Sequence, residues 1–248
     1  MINEIGLIGK GFVGSCLYKY FKIIPYYCKE GGSFEEVDKK KFIFMCLPTP
    51  YKDGFDLNII EENIERLSAG KVIILKSTIL PGTTKALAKK YPQHRFLFNP
   101  EFLIEKTAYE SFVTPDRQLI GITNARDRDV AIALLGVLPK SANSAIIDSS
   151  EAEMVKLVSN DFLAMKVVFA NEIYDYCQSK GVDYEVVSKF VGADHRIGSS
   201  HWKIFFDGYS GYGGHCFPKD MKASIYDSSS RLLRAIDDIN ELIKKNES

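Results

Sequence analysis

A short apolar run, residues 2–8, passes directly into Gly9-Lys10-Gly11-Phe12-Val13-Gly14 and then into Ser15-Cys16-Leu17-Tyr18-Lys19-Tyr20-Phe21, which reads as a helix. Strand, glycine turn, helix is the setting in which a GxGxxG spacing has physical meaning. The first glycine allows the tight turn. The second lets backbone approach a pyrophosphate, which then rests on the helix N-terminus. Further short apolar runs follow at 23–28, 42–47, 72–75, 96–98 and 119–122, with helical patterns at 57–67, 83–90 and 126–135 between them. Strands alternating with helices argue for an α/β chain with a parallel sheet covered on both faces.

Near residue 149 the texture changes. Ser149-Ser150-Glu151-Ala152-Glu153 looks like a helix start with acids in its first turn, and the pattern stays helical to Lys180, where Gly181 is a natural stop. Such a helix is about 30 residues and roughly 45 Å long. Residues 182–191 suggest another helix, and 192–220, rich in Gly, Ser and aromatics, read as a long functional loop. Leu232, Leu233, Ile236, Ile239, Leu242 and Ile243 form one stripe, so 230–245 is expected to be an amphipathic closing helix.

Bulk properties narrow the function. The 248 residues hold 46% hydrophobic side chains, enough for one large or two moderate domains. Lys plus Arg equals Asp plus Glu at 32 each, with no basic stripe to suit nucleic acid. Glu4 interrupts the apolar start, which does not look like a signal peptide. The apolar runs are too short to span a bilayer, so no membrane association and a cytoplasmic location are expected. Five cysteines without a CxxC pair make a disulfide framework improbable, and the four histidines lack zinc spacing, so no metal site is expected.

Four stretches carry chemistry. They are Ser77-Thr78-Ile79-Leu80-Pro81-Gly82-Thr83-Thr84, then Asn99-Pro100-Glu101-Phe102-Leu103, then Ala152-Glu153-Met154-Val155-Lys156 with Asn160, and finally Gly213-Gly214-His215-Cys216-Phe217-Pro218-Lys219-Asp220. Oxidising a primary alcohol to an acid takes two hydride removals, and the aldehyde between them must not escape. A thiolate can trap it as a thiohemiacetal, whose oxidation gives a thioester that water cleaves. That chemistry needs an activated cysteine, a donor for the oxyanion and a carboxylate to activate water. Cys216 supplies the thiol. Lys156 and Asn160, four apart on a predicted helix, share a face and can serve one oxygen. Glu101 is the candidate base, and Asp220 can orient water or the lysine. A Cys216–His215 dyad is disfavoured because adjacent side chains seldom reach the same atom. Cys16, Cys28, Cys46 and Cys177 are read as packing residues.

With the glycine turn, these stretches, Cys46-Leu47-Pro48-Thr49-Pro50 and Thr114-Pro115-Asp116-Arg117 occur in the order and at about the spacing of the UDP-glucose/GDP-mannose dehydrogenase family, which the chain resembles from residue 2 to about 243. The PEFL and CFPKD spellings are most similar to its UDP-glucose 6-dehydrogenase branch. The resemblance implies an NAD-binding Rossmann-type domain over 1–148. It also implies an α-helical dimerisation domain over 149–248, with a long central helix and the cysteine loop. It implies Cys216 as nucleophile, Lys156 and Asn160 as oxyanion donors, and Asp220 and Thr78 as holders of the catalytic water. Glu101, Phe102, Leu103, Gly213 and Gly214 would line the substrate, and Arg196 would reach a neighbouring subunit's substrate. Cofactor contacts would come from Gly9, Gly11, Phe12, Val13, Gly14, Pro48, Thr49, Ser77, Thr78 and Glu105. Lys166 and Asn171 match the family's helix equally well as surface or interface positions.

Glu30 falls about 20 residues after the turn, where a ribose-binding acid belongs; it stands equally well past the strand end, with Cys28 in that slot. No arginine lies nearby, which favours NAD over NADP, although Lys29 weakens this. The family continues into a second Rossmann-like domain that grips the nucleotide, whereas this chain stops after the 232–243 stripe. The uridine half of the site is therefore expected to be missing, which leaves open a separate partner that supplies it. The expected function is a homodimeric, NAD-dependent nucleotide-sugar dehydrogenase. Its rivals are a turnover-deficient NAD-binding and dimerising module, and a 3-hydroxyacid-type dehydrogenase, which would need no cysteine.

Overall fold

The computed structural model describes residues 1–22, 24–51, 54–205 and 208–245. Ile23 of the predicted run 23–28, Phe206 and Asp207 of the predicted loop, and the polar tail Asn246-Glu247-Ser248 lie outside the described residues. The chain divides into two compact units, Met1–Lys156 and Leu157–Ser248.

The first unit is built on an eight-stranded sheet of order β3-β2-β1-β4-β5-β6-β7-β8. Its strands are β1 (Ile5–Ile8), β2 (Tyr26–Cys28), β3 (Gly31–Gly32), β4 (Phe42–Met45), β5 (Val72–Leu75), β6 (Arg95–Phe98), β7 (Arg117–Ile122) and β8 (Asn143–Asp148). Between them run α1 (Phe12–Phe21), α2 (Phe34–Asp38), α3 (Asn58–Arg66), α4 (Thr83–Lys90), α5 (Ala108–Val113) and α6 (Arg128–Leu135). The pairings β1–β2, β1–β4, β4–β5, β5–β6 and β7–β8 are parallel. All four residues of β1, β4 and β5 are buried, as expected of strands covered on both faces. Alternate side chains feed two separate layers. Leu7, Phe44, Ile74 and Leu97 pack with Leu17 and Phe21 of α1. Ile8, Ile43, Ile73 and Phe96 pack with Ile60 and Ile64 of α3. Truncating a fully buried ring such as Phe44 to Ala would cost about 3–5 kcal/mol.

Several details differ from the sequence expectation. The first strand begins at Ile5, because Ile2–Glu4 form a single 3-10 turn. β2 turns back into the two-residue β3, antiparallel, and β7 runs antiparallel to β6. β8 has no counterpart in the sequence expectation: its apolar stretch is only Ala145-Ile146-Ile147, and no residue of the strand is fully buried.

The second unit takes most of α7 (Ser149–Lys180), together with α8 (Tyr184–Gly192), α9 (Phe217–Ser228) and α10 (Arg231–Lys245). Gly181, with φ +65°, stops α7. The Val182 N–H donates to the Cys177 carbonyl at 3.0 Å and closes the helix end. Ala164 and Val168 of α7 pack with Tyr212, Met221 and Ile236. Farther along, Ala170 and Cys177 pack with Tyr184, Trp202 and Ile204. The predicted loop over 192–220 needs correction at its end. Residues from Phe217 onward are the first turn of α9, and Pro218 in that turn, where a missing N–H costs nothing, is the local signal.

Candidate active site

The glycine turn lies at the C-terminal end of β1. The chain leaves β1 for β2 on one side and returns to β4 on the other, so this is the switch point where open α/β sheets bind ligands. A Cβ on Gly9 (φ +89°) would lie 2.3 Å from the Cys46 carbonyl oxygen, and one on Gly14 would lie 2.0 Å from the Gly9 carbonyl oxygen. A Cβ on Gly11, which caps α1, would meet nothing within 4 Å. Two glycines thus close the turn, and the third leaves an open approach to a helix N-terminus that has no acid in its first turn. That arrangement fits the pyrophosphate of a dinucleotide. Phe12 is exposed and Val13 half-buried on the first turn of α1. β2 ends at Cys28, and Glu30 is exposed in the turn to β3. The Lys10 ammonium sits over the rings of Tyr18 and Tyr26, at 3.8 and 3.9 Å from their centroids.

The next three motifs leave the C-terminal ends of β4, β5 and β6. The Thr49 hydroxyl donates to the Thr78 carbonyl at 2.8 Å, and the Leu47 N–H donates to Ser77 Oγ at 3.2 Å, so these two loops are tied to each other. Pro48 between them is exposed. Beyond β6, Glu101 Oε1 meets Lys156 Nζ at 2.6 Å, with both side chains largely buried. Burial pushes the Glu101 carboxyl up, but the Lys156 ammonium, the Leu103 N–H and Lys76 outweigh it and hold it below the ordinary carboxylate range. Glu101 is therefore ionised at neutral pH, the state a base requires. Arg117 lies over the Phe102 ring at 3.8 Å. Glu105 is exposed in a 3-10 turn. Glu153 is buried near the start of α7. Its carboxylate accepts from the N–H groups of Gly82 (2.6 Å) and Thr84 (2.8 Å) and from the Thr84 hydroxyl.

In the second unit Cys216 is exposed and is the N-cap of α9, a position whose dipole favours negative charge on sulfur. One turn on, Asp220 is fully buried. It accepts from Asn160 Nδ2 at 2.6 Å and from Lys219 Nζ. The approach to Cys216 is shaped by close packing. A Cβ on Gly213 would fall 2.6 Å from the Tyr209 ring, and Gly214 has φ +72°. Tyr212 is held to α10 by both ends of the Asn240 side chain, at 2.7 and 3.1 Å, and by Asp237. His215 is exposed beside Cys216. Arg196 is exposed and paired with Asp194 at 2.6 Å. Lys166 donates to the Ile197 carbonyl at 3.1 Å, and Asn171 is buried against its own helix.

Residues 31–136 match the UDP-glucose/GDP-mannose dehydrogenase family, NAD binding domain, and residues 150–242 match that family's central domain. The chain belongs to the UDP-glucose/GDP-mannose dehydrogenase family. UDP-glucose 6-dehydrogenase of Campylobacter jejuni is 34% identical over 214 residues, which is 82% of this chain and 53% of the relative. The same-named protein of Rickettsia bellii is 34% identical over 200 residues, 76% of this chain and 45% of the relative. The chain thus spans about half the length of the curated relatives it matches. A UDP-glucose dehydrogenase structure from Pyrobaculum islandicum superposes with a TM-score of 0.81 at 26% identity, covering 96% of this chain and 68% of that one.

For a member of the UDP-glucose/GDP-mannose dehydrogenase family, the structure groups the predicted residues into local sets. Glu101 meets Lys156, Thr49 meets Thr78, and Asn160 meets Asp220. Sequence reasoning missed Lys76, which is buried and bonded to Asn99, and Asn240, which holds the cysteine segment. Neither had a usable signal. Lys76 follows an apolar run as many surface lysines do, and Asn240 sits in a charged helix. Among the described residues, no helix is long and apolar enough to cross a membrane. Nor does any group of three or more His, Cys, Asp or Glu among them have the arrangement to hold a metal.

Proposed function

We propose that the protein is an NAD-dependent nucleotide-sugar dehydrogenase. It oxidises the C6 alcohol of UDP-glucose, or of a related nucleotide sugar, to a carboxylate. One observation carries the reading: an exposed cysteine heads a helix whose first turn buries an aspartate already held by Asn160 and Lys219. A packing cysteine has no need of exposure or of a helix dipole.

NAD, when bound, accepts the two hydrides. Gly9, Gly11, Phe12, Val13 and Gly14 hold its pyrophosphate. Glu30 is assigned to the ribose, and Pro48, Thr49, Ser77, Thr78 and Glu105 to the remainder. Cys216 adds through sulfur to the C6 aldehyde and holds it as a thiohemiacetal, then as a thioester once the second hydride has left. Lys156 and Asn160 donate to the oxygen at that carbon. Thr78 and Asp220 are assigned to the hydrolytic water and Glu101 to the proton it loses. The carbon–sulfur bond then breaks, and the acid and the thiol are released. The balance is one alcohol, two NAD⁺ and one water to one carboxylate, two NADH and three protons. Phe102, Leu103, Gly213 and Gly214 line the sugar, and Arg196 serves a neighbouring subunit.

Residues 1–148 form the cofactor domain and 149–248 the helical domain of a cytoplasmic homodimer. Met154, Val158, Phe162, Phe169 and Tyr176 lie exposed along α7 and suit that pairing. The test is NADH formation against a panel of UDP- and GDP-sugars. Two NADH per substrate, abolished by Cys216→Ser, supports the proposal; no nicotinamide reduction with any sugar removes it for this chain. A second reading is a turnover-deficient NAD-binding module, which would use the open glycine turn at α1 and need no cysteine. Tight NAD binding with an unreactive Cys216 would select it.

A further inference from the structure

Lys76 closes the buried run of β5 and has no task in the scheme above. It is 4% exposed. Its ammonium donates to both oxygens of Asn99, at 3.1 Å to the backbone carbonyl and 2.8 Å to Oδ1. Asn99 is fully buried, and its Nδ2 donates to Gln118 Oε1 (2.9 Å) and to the Leu119 carbonyl (2.8 Å) of β7. Asn99 is thus gripped from two strands, and Pro100, with its fixed φ, passes that constraint to Glu101.

Burying an ammonium is costly, and an apolar side chain of similar volume would fill the same space without that cost. Burial lowers Lys76 to about 8, with Cys46, Glu101 and Cys16 opposing and Lys156 adding. Those four groups come from the loop after β4, the loop after β6, α1 and α7. Burial also pushes the Cys46 thiol up to about 12, so it stays neutral.

We propose that Lys76 is a positioning residue for Glu101: its grip on Asn99 sets the Pro100–Glu101 backbone so that Glu101 meets Lys156. The catalytic part of this rests on the reading of Glu101 as a base. The test is the carboxyl titration of Glu101, followed by NMR of glutamate labelled with carbon-13 in the full chain. Glu101→Gln identifies the signal. In Lys76→Met the Glu101–Lys156 pair loosens and the midpoint rises by about one pH unit, the low end of what a close opposite charge contributes. Lys76→Arg, which keeps the charge, stays within a few tenths of the parent. The acid limb of turnover moves up by the same amount in Lys76→Met, with the KM for NAD unchanged.

A Lys76→Met chain that melts earlier but leaves the Glu101 midpoint unmoved makes Lys76 a packing residue and overturns the proposal. If that variant does not fold, Asn99→Leu removes the Oδ1 acceptor of Lys76 without adding a charge. The midpoint must again rise, and an unmoved one is equally fatal. The NMR readout needs no turnover. A shifted midpoint in a chain that reduces no NAD leaves the coupling standing and removes the functional reading. Turnover with an unmoved midpoint removes the coupling alone.

Discussion

Glu153→Ala would remove a fully buried carboxylate whose two oxygens accept from Gly82 N–H, Thr84 N–H and the Thr84 hydroxyl. The Gly82 and Thr84 groups stand at the N-terminus of α4, whose N-cap Gly82 has no side chain to cap it. Glu153 therefore does a cap's work from another helix. Each buried donor left unsatisfied costs about 1–3 kcal/mol. Three donors at the low end give about 3 kcal/mol, or a melting temperature lower by at least about 6 °C for a chain of this size. Glu153→Gln keeps one acceptor but turns an amide N–H toward an N–H, so it should fall between parent and Ala. The pH dependence has a definite sign. Burial raises the Glu153 carboxyl above its usual 4.5, with the Thr84 and Gly82 bonds only partly offsetting it. The native state then binds more protons than the unfolded chain from about pH 4.5 upward to the folded value. Stability from this group is greatest below that window and declines as pH rises through it. The parent's advantage over Glu153→Gln should shrink over the same range. Thermal melts of the three proteins from pH 4 to pH 8 decide the matter. A Glu153→Ala melt within about 2 °C of the parent would refute the capping argument, and an advantage that grows with pH would refute the burial-raised carboxyl.

Gly11→Ala should leave the melting temperature unchanged, since its Cβ meets nothing, yet weaken NAD binding by about tenfold or more. Gly14→Ala, whose Cβ would overlap the Gly9 carbonyl, should lower both; equal NAD affinity in Gly11→Ala and the parent, by calorimetry, would count against the pyrophosphate placement. Iodoacetamide should label Cys216 at least about tenfold faster than Cys16, Cys28, Cys46 or Cys177, because it is the exposed cysteine and heads a helix. Peptide mapping of a time course reads this, and uniform labelling would contradict it. Phe162→Asp on the exposed face of α7 should convert a dimer to a folded monomer in light scattering; a monomeric parent would refute the pairing outright.

What the sequence disclosed and what it hid have physical causes. The runs at 72–75 and 83–90 coincide with β5 and α4, and α7 ends at Lys180, because local propensity, burial and a stop residue agree there. α9 was hidden because its first turn holds Phe217, Pro218 and a buried Asp220 in place of a periodic stripe. The β2–β3 hairpin was hidden because its return strand is two glycines. That hairpin sharpens the ribose question: Cys28 is the last strand residue and Glu30 is in the turn. The roles of Lys76 and Asn240 could not be read because each depends on a partner distant in sequence, Asn99 across the β5–β6 pair and Tyr212 across from α10.

The order of the motifs follows from the sheet. β1, β4, β5 and β6 are successive parallel neighbours, so their C-terminal ends share one edge, and the first four motifs each leave one of those ends. A parallel pair needs a crossover before the next strand begins. The distances between motifs are therefore the lengths of strand–helix units, which is why their spacing could identify the fold before any contact was known. β7 extends the logic by reversing it. It is antiparallel to β6, with Phe98 opposite Gly121, so continuing the register carries residue 102 opposite 117. The start of β7 thus arrives at the edge where β6 ends, and Arg117 lies on Phe102 next to Glu101. A motif that precedes its strand reaches the same edge as four that follow theirs, and only the strand direction explains why.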